Sequence, residues 1–274
     1  MSEEYQEIPA EEARAYMARG REEDYLLVDV RQPDEYAREH IPGAVLIPLG
    51  ELPDRLDELP VDRDIIFYCR SGMRSRGAAI SASSRPRTSG ITFNLTGGML
   101  AWNGQVLEET PNLKTYDLDA PEQDLLLRAM DLECGAERFY TALRERYNAV
   151  PWAAGLATLA RAEEMHARMI YRFWAEGETA PPPFETVYAG LAGELVEGGR
   201  SVAELLANLE RQPLTPCRAV LEIALAIEYA GYDLSRVMAH RFQGQLLGEV
   251  FTSIAEAEKE HMRIVASKLG QCEG

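Results

Sequence analysis

The residues best suited to chemistry are one cysteine in a polar loop and six glutamates and histidines at repeated spacing. Cys69 ends the apolar run Ile65-Ile66-Phe67-Tyr68 and is followed by Arg70-Ser71-Gly72-Met73-Arg74-Ser75, then by an Ala/Ile-rich stretch. The order reads strand, loop, helix. Such a loop turns backbone N–H groups and the positive end of the helix dipole toward whatever it encloses. Arg70 and Arg74 are expected to add positive charge. These surroundings should lower the Cys69 thiol below its ordinary pKa of about 8.5 and make it a thiolate nucleophile. The plain alternative, a packing cysteine at a strand end, would favour apolar neighbours over arginines.

The second set is an internal repeat. Glu133 is followed thirty residues later by Glu163, with His166 three further on; Glu228 is followed thirty residues later by Glu258, with His261 three further on. If one helix covers about 122–148 and the next starts at Pro151, Glu133 and Glu163 stand ~22 and ~18 Å from the connecting turn, at ~1.5 Å rise per residue. They would face each other at one level. Each glutamate also lies in an apolar stripe, as Glu133 does among Leu126, Ala129, Ala136 and Tyr140. Carboxylates in core-facing positions are costly unless compensated. A metal would compensate them: four carboxylates and two imidazoles make a mainly oxygen site suited to iron or manganese rather than structural zinc. Surface glutamates beside core histidines would explain one Glu-x-x-His, but not the repeated set.

The sequence around Cys69 resembles the active-site loop of single-domain rhodaneses, the persulfide-forming sulfurtransferases. Leu27-Val28-Asp29-Val30-Arg31, Glu39-His40-Ile41-Pro42-Gly43-Ala44 and Asn94-Leu95-Thr96-Gly97-Gly98-Met99-Leu100-Ala101-Trp102 match three further signatures of that family, in order. Tyrosine-phosphatase loops place an arginine six positions after the cysteine, whereas Arg74 is five after it. The resemblance implies that Cys69 takes sulfur from thiosulfate or another sulfane donor and passes it to a thiol or cyanide. Arg70, Ser71, Gly72, Met73, Arg74 and Ser75 would bind the substrate, and Asp29 would hold the loop chain in place.

Residues 121–274 resemble the rubrerythrin/ferritin-like superfamily, through Glu133 with Ala136, Phe139 and Tyr140, and through Glu163-Glu-Met-His166. The resemblance implies an antiparallel four-helix bundle and a di-iron site on Glu133, Glu163, His166, Glu228, Glu258 and His261, with a peroxide- or oxygen-handling role. Two departures stand out. Leu225 and Gly231 hold the places where rubrerythrins carry an extra third-helix glutamate, and no paired-cysteine rubredoxin module is present, so the electron donor is unidentified. The alternative is a non-enzymatic protein that carries sulfur and binds or senses iron.

The supporting elements follow from pattern. Residues 9–19 read as a short helix from proline to Gly20. Strands are expected at 26–30, 44–47, 65–68 and 91–94, with helical patterns between them, giving an α/β domain over residues 1–110 with a mainly parallel sheet. Polar residues 83–90 read as a surface loop. Residues 111–120 have linker composition, and 121–274 turn Ala/Leu-rich with helical period. The crossover between helix pairs is expected at 177–216, with a helix at 202–209.

A formal charge of −17 over 274 residues, spread over both halves, makes nucleic acid an unexpected partner. No apolar run approaches membrane-spanning length, and the start Met1-Ser2-Glu3-Glu4-Tyr5 lacks signal-peptide regions. Four scattered cysteines show no disulfide framework, which suits a cytoplasmic protein. Cys134 reads as a packing residue, His240 as a surface or packing residue, Cys272 as part of a tail. A homo-oligomer is left open.

Overall fold

The computed structural model describes residues 5–86, 88–209, 211, 216–269 and 272. Two compact units divide the chain, Met1–Thr110 and Pro111–Gly274. The sequence reading of Met1–Glu4, Arg87 and residues 212–215 lies outside the described residues.

In the first unit, continuous apolar runs form strands buried on both faces, as a parallel sheet requires. Its strands are β1 (Gln6–Pro9), β2 (Tyr25–Asp29), β3 (Val45–Leu46), β4 (Asp64–Tyr68) and β5 (Thr92–Thr96). They pair in parallel in the order β1-β5-β4-β2-β3. Helices α1 (Ala10–Arg19), α2 (Pro33–Arg38) and α3 (Met73–Ser83) lie between them, and α4 (Gly98–Ala101) follows β5. β1 was not expected. Its sequence Gln6-Glu-Ile-Pro9 carries a single large apolar side chain, because an edge strand buries little. The polar stretch after α3 is a loop tied back to Val61–Asp64: the N–H groups of Thr88 and Ser89 donate to Val61 O, and that of Ile91 to Asp64 Oδ1.

In the second unit the helical stripes become four long helices, α5 (Glu122–Arg146), α6 (Leu156–Glu176), α9 (Pro216–Arg241) and α10 (Leu246–Leu269). The crossover holds α7 (Phe184–Ala189) and α8 (Val202–Leu209), the latter at the expected place. α5 lies along α6 and α9 along α10. Two apolar clusters run across these helices. One gathers Phe139, Leu143, Leu156, Leu159, Ile227 and Val265; the other gathers Leu126, Met130, Ile170, Leu234, Phe251 and Ile254. On every long helix the repeated glutamate falls between the residues given to one cluster and those given to the other. A polar layer is thus sealed between two apolar ones.

The expected linker, 111–120, belongs to this helical unit. Tyr116 is buried edge-on against Phe251, ring centroids 5.5 Å apart, and Arg128 donates to Thr115 O. Linker-like composition here marks a docked segment, held by a buried aromatic ring and backbone acceptors. A second difference is covalent. Cys217 and Cys272 form a disulfide, which scattered cysteines did not suggest. The pairing depends on the start of α9 packing near the end of α10, a contact between residues 55 apart in sequence.

Candidate functional site

Cys69 follows the carboxyl end of β4, where parallel sheets present ligand sites. Gly72, at φ 90°, caps α3, so its first turn opens toward the sulfur. The Gly72 N–H donates to Cys69 Sγ at 3.2 Å, and the Ser75 hydroxyl at 3.4 Å. The loop is pinned from behind: Met99 N–H donates to Cys69 O at 2.8 Å and Leu100 N–H to Arg70 O at 3.0 Å. Gly98, at φ 53°, permits this approach, since a Cβ there would run into Cys69 O. Cys69 is buried, which pushes its thiol up, yet the Ser75 hydroxyl and the N–H groups of Ser75, Ser71 and Gly72 outweigh burial and leave it lowered.

Arg74 has a partner that the sequence did not suggest. Arg70 and Ser71 are exposed, as is Met73. The Arg74 guanidinium donates to both carboxylate oxygens of Glu35, at 2.6 and 2.7 Å, and feels Cys69 only behind that partner. Hydrogen bonding to Arg74 holds Glu35 at about 2. Stabilisation of the sulfur therefore comes chiefly from hydroxyl and backbone donors, with Arg74 bracing the loop against α2. Asp29 is buried and accepts from Arg31, at 2.6 Å from Nη2 to Oδ2, while the same guanidinium reaches Glu39 O at 2.7 Å. This ties the strand end to the Glu39–Ala44 segment.

In the helical unit all six repeated residues converge. Glu163 Oε2 lies 3.3 Å from His166 Nδ1 and Glu163 Oε1 3.3 Å from His261 Nδ1. His166 Nδ1 is 3.2 Å from Glu133 Oε2, and His261 Nδ1 is 3.0 Å from Glu228 Oε2 and 4.0 Å from Glu258 Oε2. Three ligand sets have donor atoms within 4.8 Å of one another: Glu163, His166, His261; Glu133, His166, Glu258; and Glu228, Glu258, His261. Burial lowers both imidazoles, but Glu133 and Glu163 raise His166 to about 10, and Glu163 and Glu228 raise His261 to about 11. Burial lifts Glu133 to about 7; Glu258 is raised further by burial and by Glu228. The Tyr140 hydroxyl donates to Glu228 Oε1.

Comparison with known proteins agrees with both domains. Residues 10–105 match the family model of the rhodanese-like domain, and 124–206 that of rubrerythrin. A sulfurtransferase of Allochromatium vinosum is 46% identical over 80 residues, covering 29% of this chain and 73% of that protein. The chain belongs to the rhodanese family and carries a rubrerythrin domain.

Two further likenesses each cover part of the chain. The thiosulfate sulfurtransferase GlpE of Pseudomonas syringae is 29% identical, over 39% of this chain and 95% of its own length. The solved rhodanese-like domain protein from Staphylococcus aureus aligns at 25% identity and TM-score 0.35, covering 38% of this chain and 99% of that one.

The rubrerythrin match includes Glu133, Glu163 and His166 and ends before α9, so Glu228, Glu258 and His261 are tied to it by the internal repeat and by their place in the fold. The residues fit a metal pair. Their donors are carboxylate oxygens and imidazole nitrogens in a buried layer, and a buried oxygen of the neighbouring Glu197 has no hydrogen-bond donor. Sequence reasoning missed Glu197, buried on the crossover, and Glu35, whose pairing with Arg74 spans 39 residues. Neither lies in a periodic pattern. Tyr140 was visible in the apolar stripe and in the first-helix pattern of the resemblance, but not as a partner of Glu228. Cys134 and Cys69 are free thiols, and Cys134 is buried.

Proposed function

We propose that the protein is a sulfurtransferase in which Cys69 carries the transferred sulfur, and that its rubrerythrin domain holds a di-iron site. The observation that carries the first part is the Cys69 sulfur receiving the Gly72 N–H and the Ser75 hydroxyl at the start of α3. The Cys69 thiolate attacks the outer sulfur of thiosulfate. The S–S bond breaks, sulfite leaves with the electron pair, and a persulfide remains on Cys69. Cyanide or a thiolate then takes the outer sulfur, and the Cys69 thiolate is restored. Residues 70–75 form the rim that binds the donor, and their N–H groups stabilise the anionic sulfur. Thiosulfate is the donor suggested by the relative from Pseudomonas syringae.

In the rubrerythrin domain, Glu133, Glu163, His166, Glu228, Glu258 and His261 would hold two irons, with manganese as a substitute. When bound, the iron pair supplies electron transfer to peroxide or oxygen. Glu163 would be held among these ligands by both histidines, since its two oxygens face different ones. Tyr140 orients Glu228 by donating its proton to Oε1, and the two apolar clusters keep bulk water from the layer. The electron donor comes from outside this constellation. We place the protein in the cytoplasm on the reduced acceptor thiols that sulfur transfer needs; the Cys217–Cys272 disulfide runs against that placement, since such bonds are rare there. Among the described residues no helix is long and apolar enough to cross a membrane.

A second reading, a sulfur carrier without turnover, is favoured by the commitment of Arg74 to Glu35 rather than to an incoming anion. One experiment separates the readings. Thiosulfate:cyanide transfer should turn over in the wild type and fall by about 10³-fold or more in Cys69→Ser, as expected for loss of a nucleophile. Retention of a substantial rate in Cys69→Ser would refute the assignment, and a single stoichiometric transfer in the wild type would favour the carrier.

A further inference from the structure

Position 231 lies three residues after Glu228 on α9, one turn along the face that carries the carboxylate layer. It is a glycine, and the space beside it is filled from elsewhere. A Cβ on Gly231 would lie 3.0 Å from both Cβ and Cγ of Glu197 and 3.1 Å from Cδ of Glu258. The stem of Glu197 and the carboxyl of Glu258 therefore flank one point on α9.

Glu197 is delivered there by a tight turn of the crossover. Leu195 and Ser201 pair as an antiparallel bridge, Val196 N–H donates to Arg200 O, and Gly198 and Gly199 take φ of 78° and 77°. Two helix glycines make room for the turn. A Cβ on Gly135 of α5 would strike Leu195 O, just as one on Gly231 would press on Glu197. Asn112 donates to Gly198 O from the docked segment. The side chain is 5% exposed, and its Oε1 is buried with no hydrogen-bond donor. A buried carboxylate oxygen without a partner is costly unless a cation or a donor meets it.

We propose that Glu197 is a further metal ligand, supplied by the crossover turn into the space that Gly231 leaves open beside Glu258. This rests on the di-iron reading of the six repeated residues and adds a carboxylate from a non-repeated, non-helical element. Gly231 would be as necessary as Glu197, since any side chain there takes the same space.

The test is anaerobic titration of the full-length protein with ferrous iron against a competing chelator, read as affinity and stoichiometry, with a Mössbauer spectrum of the loaded protein. Glu197→Gln keeps the shape and removes the charge. It should weaken at least one of the two ions by about ten- to a hundredfold and change one quadrupole doublet, while the metal-free protein melts no lower than wild type. Gly231→Ala should weaken the same ion by displacing the Glu197 stem. Unchanged affinity and an unchanged spectrum in Glu197→Gln, with the wild type holding two irons, would overturn this inference alone. A wild type that holds no iron would overturn it together with the reading on which it rests.

Discussion

His166 and His261 stack across the helical unit with ring centroids 4.7 Å apart. Two buried imidazoles that raise each other's electrostatic cost need negative charge between and around them. Glu163 supplies it, with one oxygen 3.3 Å from each Nδ1. A metal pair would replace the imidazole protons as the positive charge that compensates these carboxylates. Reconstitution with ferrous iron should therefore raise Tm, by about 10 °C or more at a thousandfold excess over Kd. Glu163→Ala or Glu258→Ala should lower the iron content per chain, measured by elemental analysis. Full loading of Glu163→Ala would show that the layer is not the metal site.

The lowered Cys69 thiol gives a pH dependence with a definite sign. Thiolate, and with it the rate of sulfur uptake, should rise with pH through a midpoint below that of an ordinary thiol. Ser75→Ala removes a hydroxyl donor to the sulfur. Loss of one hydrogen bond to a charged group, about 1.5 kcal/mol, should move that midpoint up by about one pH unit. A pH–rate profile under single-turnover conditions reads both. An unmoved midpoint in Ser75→Ala would mean that the backbone donors suffice.

The Arg74–Glu35 pair predicts acid sensitivity. Glu35 is held at about 2 against an ordinary 4.5, first by its hydrogen bonds to Arg74. A depressed carboxylate stabilises the fold above its unfolded value and loses that contribution as pH falls from about 4.5 toward 2. The pair is partly exposed, so the effect on global stability should be small and the effect on loop order larger. Glu35→Gln should lower sulfur-transfer kcat/KM by about tenfold at neutral pH. It should also flatten the acid limb of loop hydrogen exchange. An unchanged exchange profile would contradict the bracing role.

Much of the helical site could be read from the chain because covalent spacing along a helix fixes which residues share a face. Glu-x-x-His occurring twice, at one interval from an earlier glutamate, is such a pattern, and the structure brings all six side chains together. The Cys69 loop was legible for a related reason, since strand, glycine and helix are contiguous. What could not be read are pairings set by tertiary contact. Glu35 meets Arg74 only once α2 packs near α3, and β1 is defined by its partner β5 rather than by its own residues. Glu197 sits in a glycine turn without period, so nothing local announces that it is buried. The charge of Arg74 was legible but its partner was not, which is why it was assigned to the sulfur.

The Cys217–Cys272 bond carries a prediction about redox state. It closes a span of 55 residues, for which chain-entropy arguments give at most about 4 kcal/mol. Reduction, or Cys217→Ser, should lower the Tm of the helical unit by several degrees without lowering the Cys69-dependent rate. Calorimetry with and without a reductant is the measurement. A loss of sulfur transfer in Cys217→Ser would show that these cysteines take part in the chemistry.

The most direct measurement is the mass of the intact chain after anaerobic incubation with thiosulfate, followed by peptide mapping without reductant. The account predicts a gain of one sulfur atom, located on Cys69 and removed by cyanide, and no gain in Cys69→Ser. A chain that gains no sulfur, or gains it on Cys134 instead, would contradict it.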